Sequence, residues 1–315
     1  MSHLLRFPHR HRLALPLLLS GFLLAVAALA VSCGGSGKPA SPKGGPKVVT
    51  SIELFADLIR QVGGERAQVS VLVPASADPH TYEPVPSKIV DISKADLVLI
   101  NGVGLEETLL DVIKNNVRSG VPIVEMSAGL PVLQGTGQGT GNPHLWLNVR
   151  YAMHYVEVAR DALIQVDPQG EQAYRANAQK YLAELESLDS QVQQSIASIP
   201  AERRKLVTSH DAFPYLAQRY GLELVGFVIR SPGQEPSARE VADLTKTIGD
   251  QHVPAVFEEP QLSARVLELA AKDAGVEVCT LYSDAFGDGV DSYVKLMQFD
   301  ANELARCLGG GSADQ

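Results

Sequence analysis

The chain has 315 residues, of which 45% are hydrophobic and 20% charged, and a formal net charge of −9. That acidic balance argues against nucleic acid as a partner, because phosphates require a basic footprint. Solubility alone accounts for the acidity.

The predicted elements begin with an export signal. MSHLLRFPHRHR carries three arginines and no acid, Leu13–Val31 is apolar, and a Gly/Ser/Pro/Lys stretch runs on to Lys47. A basic start, an apolar middle and a small-residue junction are the parts of a secretory signal, here residues 1–32. Ala30-Val31-Ser32-Cys33 resembles a bacterial lipobox, in which the cysteine is lipidated and becomes the mature N-terminus. Alanine stands at position 30 where leucine is usual, and the alternatives are a soluble secreted form and an uncleaved membrane anchor, since the apolar stretch is almost long enough to span a bilayer. Residues 33–47 read as a flexible tether. Cleavage before Cys33 would leave 283 residues with a net charge of −12, since the leader holds three arginines and no acid. Of the remaining cysteines, Cys279 sits in an apolar run and Cys307 near the final helix; a bridge and two separate buried thiols both fit an exported chain.

Beyond the tether, short apolar runs alternate with amphipathic stretches. KVVTSI, QVSVLVP, ADLVLING and VPIVEMS read as strands, separated by helices over ELFADLIRQVGG, PSKIVDISK and LEETLLDVIKNNVRSG. Alternation of this kind implies βαβ units and parallel sheet. Residues 149–166 read as one helix, with Asp167-Pro168 as the cap of a second, longer helix that stops at Pro200. Tyr174, Ala178, Tyr181, Leu182, Leu185, Leu188 and Val192 keep one apolar stripe along it. KLVTSH, LELVGFV, PAVFEE and VEVCTLY then repeat the strand–helix rhythm. The expected fold is α/β: two similar lobes with parallel sheets, residues 48–150 and 201–308, joined by a helical region at 151–200 with one long rigid helix, and a tail at 309–315.

Such folds bind ligands at the carboxyl ends of their strands. His80 lies past the second strand, His144 past the fourth, His210 at the end of the fifth and Asp284 past the eighth. Each histidine alone reads as a turn or cap residue; together, two residues from each lobe fall on the edge where a cleft would form. Three imidazoles and a carboxylate suit Zn²⁺ in near-tetrahedral geometry, while Mn²⁺ accepts the same atoms but prefers more oxygen. His154, within a helix, and His252, in a polar turn, read as structural or solvated. Glu258-Glu259, at a strand end, read as a hydrogen-bond partner for an imidazole N–H, a spare ligand or a base, and Asn142, just before Pro143-His144, as a second candidate partner for such an N–H. NGVGLEE lacks the third glycine of a dinucleotide fingerprint, and no GxxxxGK[ST], GxSxG or HExxH occurs.

LVPASADPHTYEPVPS, ADLVLINGVGLE, NPHLWLN, TSHDAFPYLAQRYGL, VFEEPQ and LYSDAFG…DSYVKLM together resemble the solute-binding lipoproteins of bacterial zinc/manganese ABC importers, over Val48 to about Leu304. The resemblance implies two lobes joined by one long helix and a transported metal held by His80, His144, His210 and Asp284. It implies an extracytoplasmic, non-enzymatic monomer, anchored through a lipidated Cys33, that delivers its ion to a membrane ABC permease. Manganese members of the family often carry glutamate at the third ligand position, so His210 favours zinc. Zinc members often hold a His-rich acidic loop before the second ligand, whereas VLQGTGQGTG has neither histidine nor acid. Asn142 replaces a common aspartate and Val149 a proline, and neither change removes a ligand. A zinc hydrolase is the rival reading, requiring an open coordination position and a base such as Glu259; a surface adhesin of the same fold is another.

Overall fold

The computed structural model describes residues 44–135, 141–229, 233 and 235–310. The predicted signal, the lipidation site Cys33, most of the tether, the middle of the Gly-rich loop and the end of the tail lie outside the described residues. In the first lobe β1 (Lys47–Thr50), α1 (Glu53–Gly63), β2 (Gln68–Val71), α2 (Pro86–Lys94), β3 (Leu97–Ile100), α3 (Glu107–Asn116) and β4 (Ile123–Glu125) alternate. The strands form one parallel sheet in the order β2-β1-β3-β4, with Val49 beside Ser70 on one side and Val98 on the other. All four residues of β3 are buried, as expected of a strand covered on both faces.

The second lobe repeats the pattern with β5 (Lys205–His210), α6 (Pro214–Tyr220), β6 (Glu223–Ile229), α7 (Ala238–Asp250), β7 (Ala255–Glu258), α8 (Arg265–Ala274), β8 (Glu277–Thr280) and α9 (Tyr293–Gly309), in the sheet order β6-β5-β7-β8. In both sheets the chain first steps to one side of its opening strand and then crosses to the other. The resulting switch points lie between β1 and β3 and between β5 and β7, where the carboxyl ends of the strands leave a crevice. A disulfide joins Cys279 of β8 to Cys307 of α9.

Between the lobes run α4 (Val149–Val166) and α5 (Glu171–Ala197). The 27 residues of α5 extend about 40 Å, and α5 packs on α4, α1 and α9, with Asn177 donating to the Val62 carbonyl of α1 and Ser195 to the Ala301 carbonyl of α9. Its predicted stripe is buried except for Leu182, which is half-buried. Asp189 lies in the same face, where its carboxylate accepts from Arg150 Nε at 2.8 Å and Tyr220 Oη at 3.1 Å and also pairs with Arg219. A buried charge paired in this way ties α4, α5 and α6 to one another.

Three expectations change. Asp167 makes no side-chain cap: a short 3-10 turn, Pro168–Gly170, precedes α5, and the carboxylate instead takes Arg66 and the Tyr174 hydroxyl. The tether ends before Lys47, because Pro46 is buried, its carbonyl accepts from Gln68 N–H at 2.9 Å, and Lys47 opens β1. The α4 helix starts at Val149, as read over residues 149–166, with the Asn148 side chain as its cap, while α9 extends one residue past 308.

Candidate metal centre

Each of the four residues singled out at strand ends is positioned by its local sequence. After β2, Pro74 and Pro79 flank a turn in which Asp78 Oδ1 accepts from His80 N–H at 2.9 Å, an Asx arrangement that aims His80 past the strand. After β4, Asn142-Pro143 leads into a 3-10 turn, Leu145–Leu147, with His144 at its entrance. His210 is the last residue of β5, and Asp284 follows β8 by four residues.

The structure brings all four together. Their ligating atoms lie within 4.8 Å of one another. His144 Nε2 is 3.2 Å from His80 Nε2 and 3.1 Å from His210 Nε2. Asp284 oxygens stand 3.5 Å from the Nε2 atoms of His144 and His210 and 3.9 Å from that of His80. Four donors bonded at about 2.0–2.1 Å in a tetrahedron sit roughly 3.3–3.4 Å apart, so these separations leave room for one ion.

The outer nitrogens fix the inner ones. Asn142 Oδ1 faces His144 Nδ1 at 3.0 Å, and Glu259 Oε1 faces His210 Nδ1 at 2.9 Å. Asn142 donates its own Nδ2 to the Asp211 carbonyl, which settles which side of the amide meets the imidazole. Both rings therefore keep a proton on Nδ1 and turn Nε2 inward. Two inward nitrogens about 3 Å apart repel through their lone pairs unless a proton or a metal ion lies between them. Asp284 Oδ1 is buried with no hydrogen-bond partner among the described residues, a second sign of a site built for positive charge.

Burial, followed by the charge of His210, lowers the pKa of His80 to about 4. Burial and the neighbouring imidazoles push His144 well below its ordinary value. Burial also works against a charged His210, but Glu259 and Asp284 outweigh it and raise the ring to about 9. Burial raises Asp284 to about 7 despite the opposing pull of His210. One proton, held by His210, thus stands at neutral pH where a divalent ion would provide more charge.

Glu259 and Asn142, named from sequence as partners for imidazole N–H groups, occupy those places. Glu259 is fully buried and also takes Ser283 Oγ. His154 Nε2 pairs with the Ala128 carbonyl at 3.0 Å, and His252 sits exposed in a turn at φ 52°, so neither joins the cluster. Sequence reasoning missed a set of fixing groups. Asn101 Nδ2 donates to the Pro143 carbonyl at 2.9 Å, and Tyr155 in turn donates to Asn101 Oδ1. Buried Glu106 takes Ser51 Oγ and the N–H groups of Asn101 and Gly102, which holds the turn after β3. Only the length of the apolar runs hinted at these residues, since their partners are distant in sequence.

The family model for the zinc-uptake complex component A, periplasmic, matches residues 48–307. The manganese-binding lipoprotein MntA of Halalkalibacterium halodurans is 33% identical over 91% of this chain and 96% of its own. The iron-binding protein YfeA of Yersinia pestis is 32% identical over 84% and 86%. Among solved structures, the periplasmic zinc-binding protein TroA of Treponema pallidum superposes with a TM-score of 0.79 at 29% identity, covering 84% of this chain and 100% of that one. A ZnuA crystal structure superposes with a TM-score of 0.76 at 28% identity, covering 84% and 99%. With the model spanning most of the chain and a repeated α/β architecture common to both, the protein belongs to the zinc-uptake component A family of metal ABC-importer substrate-binding proteins.

Proposed function

We propose that the protein captures one Zn²⁺ between its lobes, outside the cytoplasm, and delivers it to a membrane permease, with His80, His144, His210 and Asp284 as the ligands and Cys33 as the lipid anchor. The observation that carries this reading is the convergence of three inward Nε2 atoms on a buried carboxylate oxygen that has no other hydrogen-bond partner among the described residues. Three imidazoles and one carboxylate form a donor set that zinc takes in full, without added oxygen ligands. A water-activating hydrolase would need an open fourth position, which Asp284 fills. The second reading is Mn²⁺, favoured by the name of the MntA relative. Nitrogen-rich sites bind zinc more tightly than manganese whatever their cargo, so affinity in the test tube does not choose between them. Metal analysis of the protein isolated from its own membranes does: zinc is expected, and manganese in its place would overturn the zinc reading while leaving the site intact.

Three further outcomes follow from the same geometry. Trp146 is the only tryptophan, fully buried, with its ring 5.3 Å from that of His144. Zinc should change its emission with one-to-one stoichiometry; a silent titration alongside measured binding would count against His144 as a ligand. Glu259→Gln keeps an acceptor for His210 Nδ1 but loses the charge that makes the ring a stronger donor to metal. It should weaken zinc binding by roughly 10–100-fold, and an unchanged dissociation constant would remove Glu259 from the site. Finally, α5 spans both lobes against α1, α4 and α9, which limits hinge motion. Solution scattering should therefore show little change in radius of gyration on zinc addition, and a contraction of several ångströms would contradict the rigid spine.

A further inference from the structure

His144 follows the last strand of the first lobe, yet most of the polar ties on its segment run to the second. Asn142 Nδ2 donates to the Asp211 carbonyl, one residue past His210. Tyr215 Oη of α6 donates to the Asn142 carbonyl at 2.7 Å and accepts from Leu133 N–H at 2.9 Å, clamping both ends of the loop that precedes His144. Trp146 Nε1 donates to the Ser283 carbonyl at 2.9 Å, next to Asp284. Tyr293 Oη, at the start of α9, donates to the Trp146 carbonyl at 2.7 Å. From the first lobe, the described residues supply Asn101 on the Pro143 carbonyl and the edge of Phe55 on the Trp146 ring, with ring centres 5.0 Å apart.

His80 is held differently. Its turn is fixed by Asp78 and by Thr108 of α3, which bonds the Tyr82 carbonyl at 2.9 Å. Both contacts lie within the first lobe, and at 11% its side chain is the most exposed of the four. A cavity of about 20 Å³ opens beside it, lined by Asp78, His80, His210, Ile229, Gly233 and Leu262.

We infer that Tyr215 and Tyr293 are positioning residues that fasten the His144 segment to the second lobe, so that His144, His210 and Asp284 form a preassembled three-ligand half-site which His80 completes from the first lobe. The inference rests on the proposed metal site. Both tyrosines are fully buried, and replacement by phenylalanine keeps ring packing while deleting the hydroxyl. The segment would then lose ties that fix where His144 Nε2 points, without loss of any ligand.

The test compares wild type, Tyr215→Phe, Tyr293→Phe, Asn101→Ala and His80→Ala, each first checked for cooperative unfolding. Hydrogen exchange of metal-free protein should show faster exchange at amides 142–148 in both tyrosine variants, with α7 and α8 unchanged. Zinc alone is the binding probe: each tyrosine variant should dissociate zinc about tenfold faster. Asn101→Ala should have a smaller effect on the exchange of the segment than either tyrosine variant. His80→Ala should keep one zinc per chain at reduced affinity. The inference is overturned if the tyrosine variants leave exchange at 142–148 unchanged, if Asn101→Ala alone loosens the segment, or if His80→Ala abolishes binding. Failure of the wild type to bind zinc would instead strike the metal site itself.

Discussion

Asp284→Asn should lower zinc affinity on the order of a thousandfold, about 4 kcal/mol, and make the metal-free protein more stable. In the proposed site Asp284 would be the single anionic ligand, and the charge lost with it is the one placed to neutralise a divalent ion in a dry site. The same carboxylate burdens the empty fold. It is buried, Oδ1 has no hydrogen-bond partner among the described residues, and burial raises its pKa from 3.8 to about 7. A carboxyl that holds its proton more tightly folded than unfolded loses stability as pH rises from about 4 to about 7, and the full penalty remains above that window. Asparagine is neutral at every pH and avoids the penalty, while His210 loses one of its anionic neighbours, which offsets part of the gain. The expected net gain at pH 8 is about 1–3 kcal/mol, read by urea unfolding with a chelator present. A variant that binds zinc normally, or one less stable than wild type in the metal-free state, would refute this account of Asp284.

Zinc affinity should rise steeply with pH, and for a specific reason. His210 sits between Glu259 and Asp284, whose charges outweigh its burial and raise it to about 9. Below that value a metal must displace its proton, because Nε2 is the inward-facing atom. Between pH 7 and 9 affinity should therefore climb about tenfold per unit and then level off. Below pH 7 Asp284 takes up a second proton, and the slope should approach a hundredfold per unit. His80 and His144 are held low by burial and stay neutral across this range, so they add nothing to the slope. Calorimetry at pH 8 in buffers of different ionisation enthalpy should find close to one proton released per zinc bound. No release would mean His210 is already neutral or is no ligand. Glu259→Gln should move the levelling-off to lower pH.

Much of this was legible in the chain itself. Continuous apolar runs such as LVLI mark strands covered on both faces, and the doubled strand–helix rhythm marks two parallel sheets. His80, His144, His210 and Asp284 stood out because each sits just past a strand in a topology that gathers strand ends. Glu259 and Asn142 were legible as partners because each lies near a ligand along the chain or at the neighbouring strand end. What sequence did not reveal depends on distant packing. Tyr215 and Tyr293 look like ordinary amphipathic-helix residues, and only the folded chain places their hydroxyls on carbonyls 73 and 147 residues away. Asp167 failed as a cap for a similar reason: Arg66, 101 residues distant, competes for its carboxylate and wins with two bonds where a cap offers one. Asp189, a charge in an apolar stripe, reads as a defect until Arg150, Arg219 and Tyr220 arrive around it.

The most direct test of the four-ligand site is a competition titration against a zinc chelator, with metal analysis, on wild type, His210→Ala and Asp284→Ala side by side. The account predicts one zinc per wild-type chain and a large loss of affinity in both variants. Unchanged stoichiometry and affinity in the two variants would contradict it.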